Sequence, residues 1–192
     1  MSRAALHREN LVRTAMRLFR RQGYAGTGLQ QILAESRAPK GSLYHYFPGG
    51  KEELAVAALE LAGHLISEEL EKLAAKADNP AAFLSAYGNT LGRWMKEGGF
   101  ASGSPITTVL LECAPHNEAV TAAGLKAHKD WIRIISGVYR KAGMKAADAN
   151  EKAELAIAAF EGALILARVR QSAAPLHRVA RHLADSVPGA CL

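Results

Sequence analysis

The side chains best equipped for chemistry in this chain crowd into one stretch, Pro39-Lys40-Gly41-Ser42-Leu43-Tyr44-His45-Tyr46-Phe47. Lys40, Ser42, Tyr44, His45 and Tyr46 all carry hydrogen-bonding groups, and Gly41 has no side chain to hold a partner away from the backbone. Leu43 and Phe47 stand at i and i+4, the spacing that puts two side chains on one face of a helix. A helix built this way anchors with one face and offers donors and acceptors with the other. That combination is what reaching base edges and phosphates in a DNA groove requires. Tyr44 or Tyr46 could instead be a core aromatic and His45 a solvated side chain, since both faces of so short a helix cannot all meet DNA.

Other constellations carry less. Gly49-Gly50-Lys51 has the ending of a phosphate-binding loop. Such a loop needs glycine where this chain has His45, Ser or Thr where it has Glu52, and a strand in front. Cys113 and His116 could be half a metal site, but no second Cys or His pair lies near in sequence, and Cys113 reads as a small buried apolar residue. His177 and His182 miss the i, i+4 spacing of a helical metal pair and read as surface residues. No nucleophile triad or carboxylate pair stands out, so neither metal nor cofactor is expected. Cys113 and Cys191 do not make a disulfide framework, which fits a reducing cytoplasm.

Charge is segregated along the chain. The overall net charge is +6, yet residues 1–51 hold nine Lys or Arg against two acids, and the remainder holds fifteen against sixteen. A basic first quarter on a nearly neutral body suits a polyanion at the N-terminal end and another task for the body. A helical enzyme or interaction module without DNA binding is the alternative, and it has no evident use for that basic segment.

The elements that must position these residues are helical. Leu11, Ala15, Leu18 and Phe19 fall at i, i+4, i+7 and i+8 and predict a helix over residues 4–22, closed by Gly23. Thr27-Gly28-Leu29-Gln30 reads as a capping box with Thr27 as N-cap, opening a short helix over 28–35. Pro39 suits the first turn of a third helix over 39–46, which Phe47-Pro48-Gly49-Gly50 breaks. Two short helices joined by a tight turn and braced by a third form a helix-turn-helix. Periodicity then predicts helices over 51–77, 81–97, a short one after Pro105, 117–141, 149–171 and 175–186, with a Gly/Ser loop over 98–104. With no alternating strand pattern the class is all-α, divided into a helix-turn-helix domain (1–50) and a body (51–192). Glu154 and Glu161 interrupt the longest weakly polar stretch, so no run approaches the roughly 18 apolar residues of a membrane span. The first ten residues do not form a secretory signal.

The stretches RLFRRQGYAGTGLQQIL (17–33) and APKGSLYHYFPGGKEEL (38–54) resemble the N-terminal domain of TetR-family transcriptional regulators. GSPITTVLLE (103–112) and AAFEGALILAR (158–168) look like the LmrA/YxaF-like branch of that family. The resemblance spans nearly the whole chain and is strongest over residues 8–60. It implies a homodimer on a pseudo-palindromic operator in double-stranded DNA, and a C-terminal helical domain that binds a small effector and dimerises. The function it implies is a ligand-responsive regulator, a repressor released from its operator by a small hydrophobic molecule.

Carried over residue by residue, the resemblance places Thr27 and Gln30 against a phosphate. Lys40, Gly41 and Ser42 approach the groove, Tyr44 and His45 contact backbone or base edges with Tyr46 beside them, and Lys51 meets a phosphate. It places the effector among Leu61, Leu65, Phe83, Tyr87, Leu91, Trp94, Ile106, Val109, Leu110, Cys113, Trp131 and Ile135. Ala156, Ala159, Phe160, Ala163 and Ala167 form a small-residue face expected to meet a partner subunit, packed with Leu176, Val179 and Leu183. The other, less favoured reading of that face is burial against the protein's own core. The family usually has glycine where this chain has Arg37, a cost of roughly 1 kcal/mol if the residue is left-handed. The branch often has cysteine where this chain has Ser104.

Overall fold

The computed structural model describes residues 3–187, except for the side chains of Arg3, Ala4 and Lys40. Cys191 lies outside the described residues. Among those described, all regular structure is helical: α1 (Arg3–Gln22), α2 (Leu29–Ser36), α3 (Lys40–Tyr46), α4 (Lys51–Lys76), α5 (Pro80–Glu97), α6 (Pro105–Cys113), α7 (Glu118–Lys141), α8 (Ala146–Arg170) and α9 (Ala174–Asp185). None of these helices is long and apolar enough to cross a membrane. The chain divides into two compact units, and the division does not follow chain order. One unit comprises residues 1–64 and 104–127, the other 65–103 and 128–192.

The helix limits follow from local chemistry. Gly23 ends α1 with φ at +83°, a left-handed value that suits glycine. Asn79 caps α5 by accepting from the Ala82 N–H at 2.8 Å, with Pro80 in the first turn where its missing N–H costs nothing. Ser104 does the same for α6, accepting from Thr107 N–H at 3.3 Å ahead of Pro105. Asn117 Oδ1 accepts from Val120 N–H at 2.9 Å at the start of α7.

In the first unit α1 is the centre of the packing. Its buried face, Leu11, Val12, Ala15, Leu18 and Phe19, supports α2, α3 and α6. Ile32, Leu33, Leu43, Phe47, Leu54, Leu59, Ile106 and Val109 complete this core. The capping box expected at Thr27 does not form. The N-cap of α2 is Gly28, without a side-chain cap, and Thr27 is fully buried with its hydroxyl donating to the Gly23 carbonyl at 2.6 Å. A carbonyl left over at the end of α1 thus takes the hydroxyl that was expected to serve α2. Pro39 likewise sits one step outside α3, as its N-cap.

In the second unit α5 lies against α9 at close range. A Cβ on Gly88 would stand 2.6 Å from the Ala180 Cβ and 3.3 Å from the Leu176 carbonyl oxygen. One on Gly92 would stand 3.2 Å from the Ala173 Cβ. The Phe160 ring of α8 meets Tyr87 of α5 edge-on at 4.9 Å, and Tyr87 stacks on Phe83 at 6.5 Å. Burial, and secondarily the Glu161 carboxylate, push the Tyr87 phenol well above its ordinary range, so it stays protonated.

This packing corrects the expected subunit face. Ala156, Phe160, Ala163, Ala167 and Leu176 are buried in the chain's own core, while Ala159, Val179 and Leu183 are half-buried. The opposite side of α8 is the exposed apolar one. Leu155, Ile165, Leu166 and Val169 are 59, 53, 46 and 75% exposed, and Ala158 and Gly162 lie in the same strip. Ala156, Ala163 and Ala167 face inward, with Phe160, where α5 and α9 pack against α8.

The seam between α5 and α9 gives a clear expectation. In an open helix, Gly88→Ala would gain about 1 kcal/mol of helix propensity. Here the added methyl meets a rigid helical Cβ and a carbonyl, and overpacking of that kind costs about 1–3 kcal/mol. Gly88→Ala should therefore lower the midpoint of thermal unfolding measured by circular dichroism; a raised midpoint would contradict the packing.

Candidate nucleic-acid interface

The interface is built on two helices too short to stand alone. α2 ends at Arg37, which adopts a left-handed backbone (φ 55°, ψ 23°) where glycine is the unstrained residue. The Ala38 N–H then donates to Ser36 Oγ at 3.3 Å, and extended Pro39 leads into α3. The tight turn that the sequence suggested is present, and its left-handed residue is the one where the resembled family usually has glycine.

α3 divides its residues as the i, i+4 pair required. Leu43 and Phe47 are buried at 0 and 1% exposure, whereas Tyr44 is 52% exposed. Gly41 and His45 are exposed, and Ser42 and Tyr46 are half-buried. Gly41 has open space where a Cβ would stand. His45 and Tyr46 meet edge-on at 4.8 Å. The side chain of Lys40 lies outside the described residues. Gln30 is exposed at the first turn of α2, but Thr27 is buried with its hydroxyl committed, so its side chain offers nothing to a phosphate.

The surrounding scaffold is polar on its outer side. Arg17 Nη2 pairs with Glu35 Oε2 at 2.8 Å, and Gln31 donates to Glu35 Oε1 at 2.8 Å. Arg17, then Gln31, hold the Glu35 carboxyl below its usual range. The Arg8 guanidinium lies 5.4 Å from the Phe47 ring centre, which covers the buried end of α3. Gly50, at φ +69°, turns the chain into α4, and Glu53 accepts from the Gly49 N–H at 2.9 Å.

Lys51 does not point freely outward. Its ammonium sits 4.3 Å from the Tyr24 ring centre, and burial pulls its pKa down against the opposing pull of the Glu112 carboxylate. Glu112, on α6, accepts from the backbone N–H groups of Tyr24 at 3.1 Å and Ala25 at 2.6 Å. No residue pattern announces this contact, because its partners are backbone amides nearly ninety residues away.

The apolar residues expected around an effector fall in both units. Leu61, Ile106, Val109, Leu110 and Cys113 belong to the first; Leu65, Phe83, Tyr87, Leu91, Trp94, Trp131 and Ile135 belong to the second. Within the second unit Phe83, Tyr87, Leu91, Trp131 and Ile135 are buried, while Leu65 and Trp94 are half-buried. Sequence reasoning missed His128. Its Nε2 is buried without a hydrogen-bond partner among the described residues, its ring meets Trp131 edge-on at 5.3 Å, and burial lowers its pKa. The signal was a histidine beside the buried positions Ala127 and Trp131 of α7. No group of three or more metal-ligating side chains occurs among the described residues.

A short helix seated by two apolar residues, with its polar face outward after a tight turn, defines a helix-turn-helix DNA-binding protein. Comparison with known proteins gives the family. Residues 11–58 match the bacterial regulatory proteins of the tetR family, and residues 80–182 match the C-terminal domain of LmrA/YxaF-like transcriptional regulators. The chain belongs to the TetR family of transcriptional regulators, with an LmrA/YxaF-like C-terminal domain, and is a regulator rather than an enzyme. It is 32% identical over 181 residues to the HTH-type transcriptional regulator LmrA of Bacillus subtilis, covering 94% of each chain. It is 26% identical over 187 residues to the HTH-type transcriptional repressor NemR of Escherichia coli, covering 94% of this chain and 93% of that one. Among solved structures, the regulatory protein TetR from Rhodobacter sphaeroides superposes with a TM-score of 0.86 at 25% identity, covering 95% of this chain and 99% of that one.

Neighbouring residues of α3 should respond differently to truncation. Leu43→Ala removes a fully buried side chain and should cost about 2–4 kcal/mol in denaturant unfolding. Tyr44→Ala should cost less than about 0.5 kcal/mol, as exposed substitutions usually do. Equal losses at the two positions would contradict the division of faces.

Proposed function

We propose that the chain is a repressor that binds its operator as a homodimer in the cytoplasm and is released by a small, largely apolar effector. The observation that carries this reading is the outward face of α3, where Gly41, Tyr44 and His45 are exposed within the basic quarter of the chain. These residues, with Lys40, Ser42 and Gln30, are the groups that would meet DNA. The word repressor in the name of NemR supports the direction of control.

The exposed strip of α8 supports the dimer. Leu155, Ala158, Gly162, Ile165, Leu166 and Val169 recur on one helix face, and Gly162 has open space where its Cβ would stand, so a second helix could approach closely. Two subunits would present two α3 helices to successive major grooves, about 34–36 Å apart. For the effector, the unmet His128 Nε2 supports a molecule that is mainly apolar with one hydrogen-bonding group. Any shift of one α3 by such a molecule misaligns a half-site, and coupling of this kind is typically about 1–3 kcal/mol.

Duplexes selected from genomic fragments by the purified chain test the reading. The expected product is a pseudo-palindrome whose affinity falls steeply with salt, and Lys40→Ala should lower the slope of log K against log salt by about 1 per subunit. A chain that selects no duplex contradicts it. Genes beside the selected sites then indicate which compounds to titrate as effectors.

The subunit face has its own test. Leu166→Glu should give a folded monomer on a sizing column, with weakened duplex binding, whereas Phe160→Arg should lose the fold of the second unit. A Leu166→Glu protein that remains dimeric would move the interface elsewhere.

A further inference from the structure

We propose that Glu112 is a positioning residue for DNA binding: from α6, its carboxylate fixes the turn between α1 and α2 and thereby the aim of α2 and α3. The proposal rests on the DNA-binding reading above and deepens it by naming how the interface is held.

Four observations support it. One carboxylate accepts from two successive backbone amides, Tyr24 at 3.1 Å and Ala25 at 2.6 Å, across 88 and 87 residues of sequence. The adjoining Gly23 has φ +83°, and a Cβ there would overlap the Glu112 carboxylate, so the turn admits the acid only because no side chain stands in its way. Glu112 is the second-last residue of α6, where the negative end of a helix dipole disfavours a carboxylate. The helix itself therefore gives no reason for an acid at this position, and the two amides do. Lys51, at the first position of α4, places its ammonium over the Tyr24 ring, so the same turn is gripped from a second helix.

What the turn holds matters because α2 and α3 are only eight and seven residues long. Helices of that length have little stability of their own and take their direction from whatever fixes their ends. Packing of α6 along α1 makes Glu112 part of a firm support. The sign of its charge separates this role from direct contact. An acid near a polyanion weakens binding by charge alone, so removing it should strengthen attachment to any duplex. A positioning residue predicts the reverse for the operator.

The test uses the full chain and two duplexes of equal length, the one selected above and a scrambled version. Glu112→Gln keeps one acceptor but turns an N–H toward an N–H; Glu112→Asp keeps the charge but shortens the reach. Both should weaken the selected duplex roughly fivefold or more. Glu112→Gln should leave the scrambled duplex unchanged or more tightly bound. Hydrogen exchange at the Tyr24 and Ala25 amides should be slow in the wild type and faster in both variants. Wild-type affinity for the selected duplex in both variants overturns the proposal, as do fast-exchanging Tyr24 and Ala25 amides in the wild type, a measurement that holds even if a variant folds poorly. A wild type that selects no duplex overturns the DNA-binding reading as well, which distinguishes the two failures.

Discussion

A seven-residue helix cannot hold itself together in water, so everything α3 offers to a partner depends on the burial of Leu43 and Phe47. Those two side chains decide which way Tyr44 and His45 look. They are seated in turn by α1, whose apolar face supports α2, α3 and α6 together. The outward face of α3 is thus a secondary consequence of a core, and its polar residues could vary without loss of fold while Leu43 and Phe47 could not.

The helices were legible in the sequence because their apolar residues keep a 3.6-residue period and glycine or proline marks ends such as Gly23 and Pro105. Helix-turn-helix organisation could be read in the same way, whereas the left-handed site at Arg37 was suggested only by the resemblance to a family that usually has glycine there. Thr27 misled because a hydroxyl at a helix boundary can serve the helix behind as well as the one ahead, and only the folded turn decides. α8 misled for a different reason. It is apolar around much of its circumference, so periodicity gives no direction, and the choice of inner face came from the fit of Phe160 against Tyr87. Glu112 was invisible because backbone amides leave no mark in a sequence.

The two sides of α8 therefore do different work. On the inner side Ala156, Ala163 and Ala167 let the neighbouring helices come close around Phe160, while Leu155, Ile165, Leu166 and Val169 remain outside with Ala158 and Gly162. A contiguous exposed apolar strip generally marks a surface that meets another molecule. The family to which the chain belongs supplies the context in which that strip has a use.

Arg37 exchanges one virtue for another. Its left-handed backbone would relax by roughly 1 kcal/mol with glycine, yet the chain keeps a guanidinium in the turn that leads into α3. The local geometry is thereby a little worse and the positive potential near α3 a little stronger. Heat resistance and electrostatic reach pull in opposite directions at this residue. A laboratory screen that rewarded survival at high temperature alone would favour glycine here, and would drift toward a sturdier regulator that finds its polyanion more slowly.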